Sequence, residues 1–252
     1  MPNDVVQLGF EGSIATIVLN DPKRRNAMSI VMFDELDEAL RNVAARSDIH
    51  VSLLHGNGKA FCSGFELGAA VDDPTLMKQY IDRLSATIRS LRRLPQVVVA
   101  AVHGAAIAGG CAMVSACDIV IASATAKFGY PVHKLGVSPA VNIPTLQQAM
   151  GPGAARSLLM GGDLIDGTTA HRQGLVHHLT NDDEAVLVKA ISMCQRLTEQ
   201  SPQALRVTKR WLNELDGSLD DDLFDGPRDG SAEIADSDEA VSRLRDFWSK
   251  RG

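Results

Sequence analysis

The segment Val97 to Gly104, VVVAAVHG, restricts the fold more than any other part of the chain. It is an unbroken apolar run that ends at a glycine, and Gly109-Gly110-Cys-Ala-Met follows it and opens a helix. A strand with one face in water alternates apolar and polar residues. This one does not, so both of its faces must be covered, as in a parallel sheet flanked by helices. HVSLLH and DIVIAS have the same buried character and read as its partners. Helices that cover such a sheet are legible too. Met32, Phe33, Leu36, Leu40 and Val43 fall at helical spacing behind Ser29 as N-cap, with Asp34, Glu35, Asp37 and Arg41 on the other face. A long helix is expected from about Pro74 to Arg93, after a loop over Val71 to Met77. VVQLGF and IATIVLN, separated by Glu11-Gly12-Ser13, read as a hairpin that leads into the polar loop Asp21 to Asn26. Strand, strand, helix is the recurring unit, which is the α/β class. Beyond Gly136 the chain is expected to be mostly helical. Its last stretch, Ser231 to Lys250, carries an apolar stripe of Ile234, Val241, Leu244, Phe247 and Trp248 for packing on this subunit or a neighbour.

Composition removes several function classes. The formal charge of −6 is spread along the chain without a lysine or arginine cluster, so no nucleic-acid partner is expected. No segment reaches about 18 uninterrupted apolar residues and the N-terminus does not read as a signal peptide, so the expectation is no membrane span and a cytoplasmic location. Cys62, Cys111, Cys117 and Cys194 form no C-x-x-C pair and read as buried thiols, with no metal site.

Familiar motifs fail on required residues. Gly56-Asn57-Gly58 has Phe61 where a third glycine would open a dinucleotide-binding helix, and Gly104 to Gly110 lacks the Lys-Ser/Thr of a phosphate loop. Ser63 in FCSGF has Phe61 where a nucleophile elbow needs glycine. His177 and His178 are adjacent on an expected strand, which turns their rings to opposite faces.

Two segments remain informative, GNGKAFCSGFEL from Gly56 and AVHGAAIAGGCAMVSACDIVIAS from Ala101. Each sets a glycine-containing turn after an apolar strand, and the second turn runs into a helix. Such turns leave main-chain N–H groups unpaired, and a helix start adds its own free donors, so together they suit an oxyanion.

These segments resemble the crotonase (enoyl-CoA hydratase/isomerase) superfamily. The likeness runs in order through LNDPKRRNAMS, KAFCSGFEL, AAVHGAAIAGGCAMVSACDIVIAS, AKFGYPVHKLGVSPAV, GLVHHL and DFWSKR. Within the family, KLGVSPAVNIP is most similar to the methylglutaconyl-CoA hydratase branch. The resemblance implies a crotonase-like spiral of ββα units over residues 1–195 and a C-terminal helical trimerisation region over residues 196–252, in a homotrimer or a hexamer built as a dimer of trimers. It implies a coenzyme A thioester as substrate, with no permanently bound cofactor. The oxyanion donors would be the N–H groups of Phe65 and Gly109. In comparable sites one such donor stabilises the developing charge by about 3 kcal/mol. Arg25 and Ala27, in a loop with Lys23 and Arg24, would meet the coenzyme. So would Ser63, Gly64 and Leu67, while Lys250 would reach a neighbour's ligand. Ile107, Gly110, Ala112, Tyr130 and Val132 complete the expected substrate contacts.

The catalytic pattern departs from the family. Hydration uses two glutamates, and carried over residue by residue they fall at Ala112 and Val132. A third acid of other branches falls near Ala140. Glu66 is a candidate catalytic carboxylate, facing either the pocket or a helix N-terminus. Tyr130 is either a donor or a pocket wall. On an extended segment it would share a face with Val132 and leave His133 pointing away. Cys62 and Cys111 read as packing, and His103 as support for the turn before Gly104. The expectation is therefore a lyase or isomerase of the enoyl-CoA hydratase/isomerase type that stabilises a thioester enolate without two-glutamate hydration. The alternative is a non-catalytic acyl-CoA-binding or assembly protein.

Overall fold

A computed structural model describes residues 4–250, so the outer ends of both expected divisions lie outside the described residues. The apolar run forms strand β4 (Val97–Val102), and every one of its residues is buried. It lies in a six-stranded sheet. In chain order the other strands are β1 (Val6–Glu11), β2 (Ile14–Leu19), β3 (Val51–Gly56), β6 (Ile119–Ser123) and β9 (His178–Thr180), and the spatial order is β1-β2-β3-β4-β6-β9. Within this sheet only β1 and β2 pair antiparallel, through a tight turn at Gly12, whose φ of 54° suits glycine. From β2 onward every neighbour is parallel, with Val51 opposite Val97 and Val99 opposite Ile119.

A second, three-stranded sheet stacks one short segment per turn of chain: β5 (Ala105–Ile107), β7 (Lys127–Gly129) and β8 (Leu164–Asp166). A single bridge from Cys62 to Ala106 extends this layer by one more turn. The unit strand, strand, helix therefore winds into a spiral, as the resemblance implies.

Helix α1 (Ile30–Ala44) buries Met32, Phe33, Leu36, Leu40 and Val43, and the Ser29 hydroxyl accepts the Met32 N–H at 3.1 Å. The outer face of the parallel sheet is covered by α7 (Glu184–Thr198). Its Val186, Ala190, Met193 and Cys194 meet Val51, Leu53, Val99, Ala101 and Ile121. Helix α8 (Pro202–Leu215) is fastened to the core by Lys209, whose buried ammonium reaches Asp118 Oδ2 at 2.6 Å and the Gln96 carbonyl at 2.9 Å. Helices α5 (Ile143–Gly161) and α6 (Gly167–Arg172) flank β8 in the chain, and α9 (Asp222–Ala235) and α10 (Asp238–Ser249) come last.

Three local expectations change. Val71 to Met77 is not a loop: α2 (Leu67–Asp72) ends within it and α3 (Thr75–Arg93) begins there, because the Asp73 carboxylate caps the Thr75 N–H at 3.1 Å. The terminal stripe is split between α9 and α10. Leu244 is buried, whereas Ile234 and Trp248 stay substantially exposed, with part of the Trp248 ring set over Gly68. The segment after Tyr130 is not extended either. Val132 has φ −94° and ψ −21° and starts a 3-10 turn, His133–Leu135. His133 is nevertheless exposed and off the cavity, so its expected orientation holds although the alternation behind it does not.

Candidate active site

The site begins with two turns that lie against one another. In the first, Cys62 N–H donates to the Ala105 carbonyl at 3.0 Å and Ile107 N–H donates to the Cys62 carbonyl at 2.9 Å. Two residues on, the chain pairs with the opposite neighbour: Met28 N–H donates to the Gly64 carbonyl at 2.8 Å, and Glu66 N–H to the Met28 carbonyl at 3.1 Å. In a parallel bridge the bonded groups flank the bridging residue. The N–H of Phe65 itself is therefore turned away from Met28, and among the described residues no acceptor takes it.

The second turn is Ile107 to Gly110. Ala108 N–H donates to the Gly129 carbonyl at 2.8 Å. Ala108 itself has φ 48° and ψ −110°, a strained conformation for an alanine. Gly109 then starts α4 (Gly109–Ser115), and its N–H is one of the orphan donors of the first helical turn. The helix has only 7 residues, so it contributes those donors more than a long dipole.

Close packing explains the glycines. A Cβ on Gly64 (φ 92°) would sit 3.2 Å from the Ile107 carbonyl oxygen and 3.9 Å from Gly109 N. One on Gly110 would sit 2.6 Å from the Cys62 carbonyl oxygen. The Phe65 ring is anchored beneath, 5.2 Å from Tyr80 and 6.3 Å from Phe33 between ring centroids.

Both turns open on a cavity of about 290 Å³. Of the residues singled out from the sequence, Ser63, Gly64, Phe65, Leu67, Ile107, Gly109, Ala112, Tyr130 and Val132 line it together. Met77, Ile81 and Leu84 of α3 and Phe247 of α10 close it with apolar surface. Gly110 lies behind this wall against Cys62, and Ala140 is flanked by lining residues without joining them. Glu66 does not line it. Its carboxylate lies 3.5 Å from Arg24 Nε, and as N-cap of α2 it makes no side-chain capping bond.

Arg25 and Ala27 belong to the loop pressed against the first turn. The Arg25 carbonyl accepts the Ser63 N–H at 3.1 Å, and its exposed side chain stands with Lys23 and Arg24. Lys250 is exposed at the end of α10.

Among the described residues no aspartate, glutamate or histidine lines the cavity; its titratable groups are Tyr130 and Lys134. Burial raises the Tyr130 phenol well above its usual range and pushes the Cys62 and Cys111 thiols up to about 12 each, so all three stay protonated near neutrality. No group of three or more metal-ligating side chains occurs among the described residues. His103 Nε2 lies 3.0 Å from the Gly58 carbonyl, consistent with turn support.

Two asparagines carry more than their sequence positions suggest. Asn26 is buried with φ 53°, and its Nδ2 lies 3.0, 2.9 and 3.1 Å from the carbonyls of Asn57, Ala60 and Phe61. It ties the loop that carries Arg25 and Ala27 to the first turn. Asn142 is buried in the cavity wall, and its amide donates to the Tyr130 hydroxyl. An asparagine in a turn is a weak cue for the left-handed conformation at position 26; nothing in the sequence marks position 142.

A family model described as enoyl-CoA hydratase/isomerase matches residues 9–220. A Thermus thermophilus protein, provisionally named an enoyl-CoA hydratase, is 32% identical over 246 residues, covering 96% of each chain. A mitochondrial Delta(3,5)-Delta(2,4)-dienoyl-CoA isomerase of Dictyostelium discoideum is 29% identical over 254 residues, covering 94% of this chain and 86% of that one. Among solved structures, an enoyl-CoA hydratase/carnithine racemase from Magnetospirillum magneticum superposes with TM-score 0.78 at 32% identity, covering 84% of this chain and 81% of that one.

Proposed function

The chain belongs to the enoyl-CoA hydratase/isomerase family, and from that premise we propose that it holds an acyl-CoA thioester with its carbonyl oxygen between the N–H groups of Phe65 and Gly109. The observation that carries this reading is the pair of adjacent turns, each with a main-chain donor left unpaired beside one apolar cavity. When the α-carbon of a thioester loses a substituent, or its β-carbon is attacked, charge moves onto that oxygen. Donors already in place stabilise the enolate without rearrangement. The coenzyme lies along Arg25, Ala27, Ser63 and Leu67, and no permanently bound cofactor is needed.

Ordinary two-glutamate hydration is not part of this proposal. Ala112 and Val132 stand on the cavity wall where the family pattern places the acids, and neither side chain carries a proton. Glu66, engaged with Arg24, is oriented as a structural carboxylate. The fitting reactions are an isomerase or lyase step that asks less of protein acids, such as loss of an α-carboxyl group. The same wall favours one second reading, an acyl-CoA-binding protein that turns nothing over. The likeness of KLGVSPAVNIP to the methylglutaconyl-CoA hydratase branch makes 3-methylglutaconyl-type esters the first to try.

The C-terminal helices are proposed to serve a homotrimer or a dimer of trimers. Val207, Trp211, Leu212 and Leu215 of α8 are 52%, 52%, 59% and 82% exposed, more apolar surface than a lone chain usually leaves in water. No helix among the described residues is long and apolar enough to cross a membrane.

The test is on the ligand. Calorimetry with a saturated acyl-CoA, its S-alkyl thioether lacking the carbonyl, and free CoA should show the thioester binding at least about tenfold tighter than the thioether. Equal affinities would refute the donor pair. A turnover screen over the same esters and 3-methylglutaconyl-CoA separates enzyme from binding protein.

A further inference from the structure

Besides the two turns and the exposed Lys134 ammonium, the cavity wall carries one buried side-chain hydroxyl, that of Tyr130. Tyr130 and Asn142 both line it and are 2% and 1% exposed. Asn142 Oδ1 accepts from Thr145 Oγ1 at 3.0 Å and lies 2.9 Å from Ser115 Oγ. That leaves Nδ2 to donate to the Tyr130 hydroxyl. The phenolic oxygen is thus occupied as an acceptor, and its own proton is held only by a sulfur, which a ligand oxygen can displace. The protein group beside that proton is the Cys111 thiol, and sulfur is a weak acceptor.

Tyr130 is also close to the thioester end of the cavity. Its neighbour Gly129 accepts the Ala108 N–H at 2.8 Å, directly before Gly109. The main chain that carries Tyr130 therefore runs beside the second turn, and the proposed pose sets its hydroxyl against the first few carbons of the acyl chain. No carboxylate or imidazole lines the cavity among the described residues. An acceptor-only oxygen fits such a place better than a hydroxyl, whose proton would need an acceptor of its own.

We propose that Tyr130, positioned by Asn142, is a specificity-determining donor that selects acyl-CoA esters bearing an uncharged carbonyl oxygen near the β-carbon, the 3-oxoacyl class. The inference rests on the thioester reading above.

The experiment compares acetoacetyl-CoA, 3-hydroxybutyryl-CoA and butyryl-CoA by calorimetry, with butyl-CoA thioether as a control. Wild type should bind acetoacetyl-CoA about tenfold tighter than butyryl-CoA, with the hydroxy ester between them. Tyr130→Phe keeps the ring and should abolish the preference, bringing acetoacetyl-CoA to the affinity of butyryl-CoA in the same variant. Asn142→Asp supplies an acceptor-only carboxylate that takes the Tyr130 proton, so it should abolish the preference as well. A wild type without the preference, or a Tyr130→Phe or Asn142→Asp variant that keeps it, overturns the proposal. Loss of discrimination between butyryl-CoA and butyl-CoA would instead refute the underlying thioester reading. Circular dichroism and assembly state confirm that both variants fold, and the wild-type comparison decides independently of either.

Discussion

Across the cavity, the turns at residues 62–66 and 107–110 offer main chain to the ligand, whereas the wall from Tyr130 to Asn142 offers side chains. The first side is set by steric constraint. Gly64 needs its positive φ, Gly110 has backbone where a Cβ would go, and Ala108 is held in strain between them. No side-chain exchange removes an N–H from these turns, except a change to proline. The second side is a row of side chains on 3-10 turns, and residues there can change without moving the fold. In the proposed function the donors stay with the turns while the side chains around them vary: Val132 on this wall and Ala112 on α4 both face the cavity without an ionisable group.

The largest expected effect sharpens that contrast. Hydration of crotonyl-CoA should run at least about a hundredfold slower than in a two-glutamate relative assayed beside it, because general acid–base catalysis supplies that much. Rapid hydration would mean that the wall holds an acid the geometry does not reveal. Gly109→Pro attacks the other side. Proline is tolerated at the first position of a helix, so α4 should still form while the donor is lost. Thioester affinity should fall about a hundredfold, free CoA affinity much less. Gly109→Ala adds a Cβ 2.7 Å from Met28 Sδ yet keeps the N–H, and controls for the steric change.

The contrast also explains what could be read from the chain alone. Uniform apolarity at Val97–Val102, the Ser29 cap and the spacing of Met32 to Val43 report burial and local hydrogen bonding, so the sheet and α1 were legible. The two turns were legible because glycine is required where chains approach closely. The Tyr130–Asn142 contact was not, because it joins positions 12 apart through irregular turns with no periodicity. Alternation failed after Tyr130 for the same reason: Val132 is helical in its dihedrals. Asn26 shows the intermediate case, a left-handed residue whose three carbonyl partners lie more than 30 positions away.

Asn26→Ala should therefore destabilise the protein by about 3 kcal/mol, through orphaned carbonyls and an alanine in the left-handed region. Denaturant unfolding measures it. In the folded fraction, thioester and free CoA should weaken together, unlike in Gly109→Pro. The smallest effect lies outside the site. His177 Nδ1 accepts the Val120 N–H at 2.9 Å and must be unprotonated to do so, and partial burial lowers its pKa from 6.5. Because the folded pKa is depressed, this contribution is complete above about pH 6.5 and is lost as the pH falls through the folded value. With the ring partly in water it amounts to about 1 kcal/mol or less. Melting curves from about pH 7 down to 5 should show it in wild type and not in His177→Asn, whose side-chain oxygen accepts without titrating in that range.

The central claim is that two main-chain donors hold the thioester oxygen, and vibrational spectroscopy reads that bond directly. Difference infrared spectra of a bound, non-reacting acyl-CoA labelled with carbon-13 at the thioester carbonyl isolate its stretch. The account predicts a frequency below that of the same ester in water, moving back toward the water value in Gly109→Pro. A saturated wild-type complex whose carbonyl stretches at or above the frequency in water would contradict it.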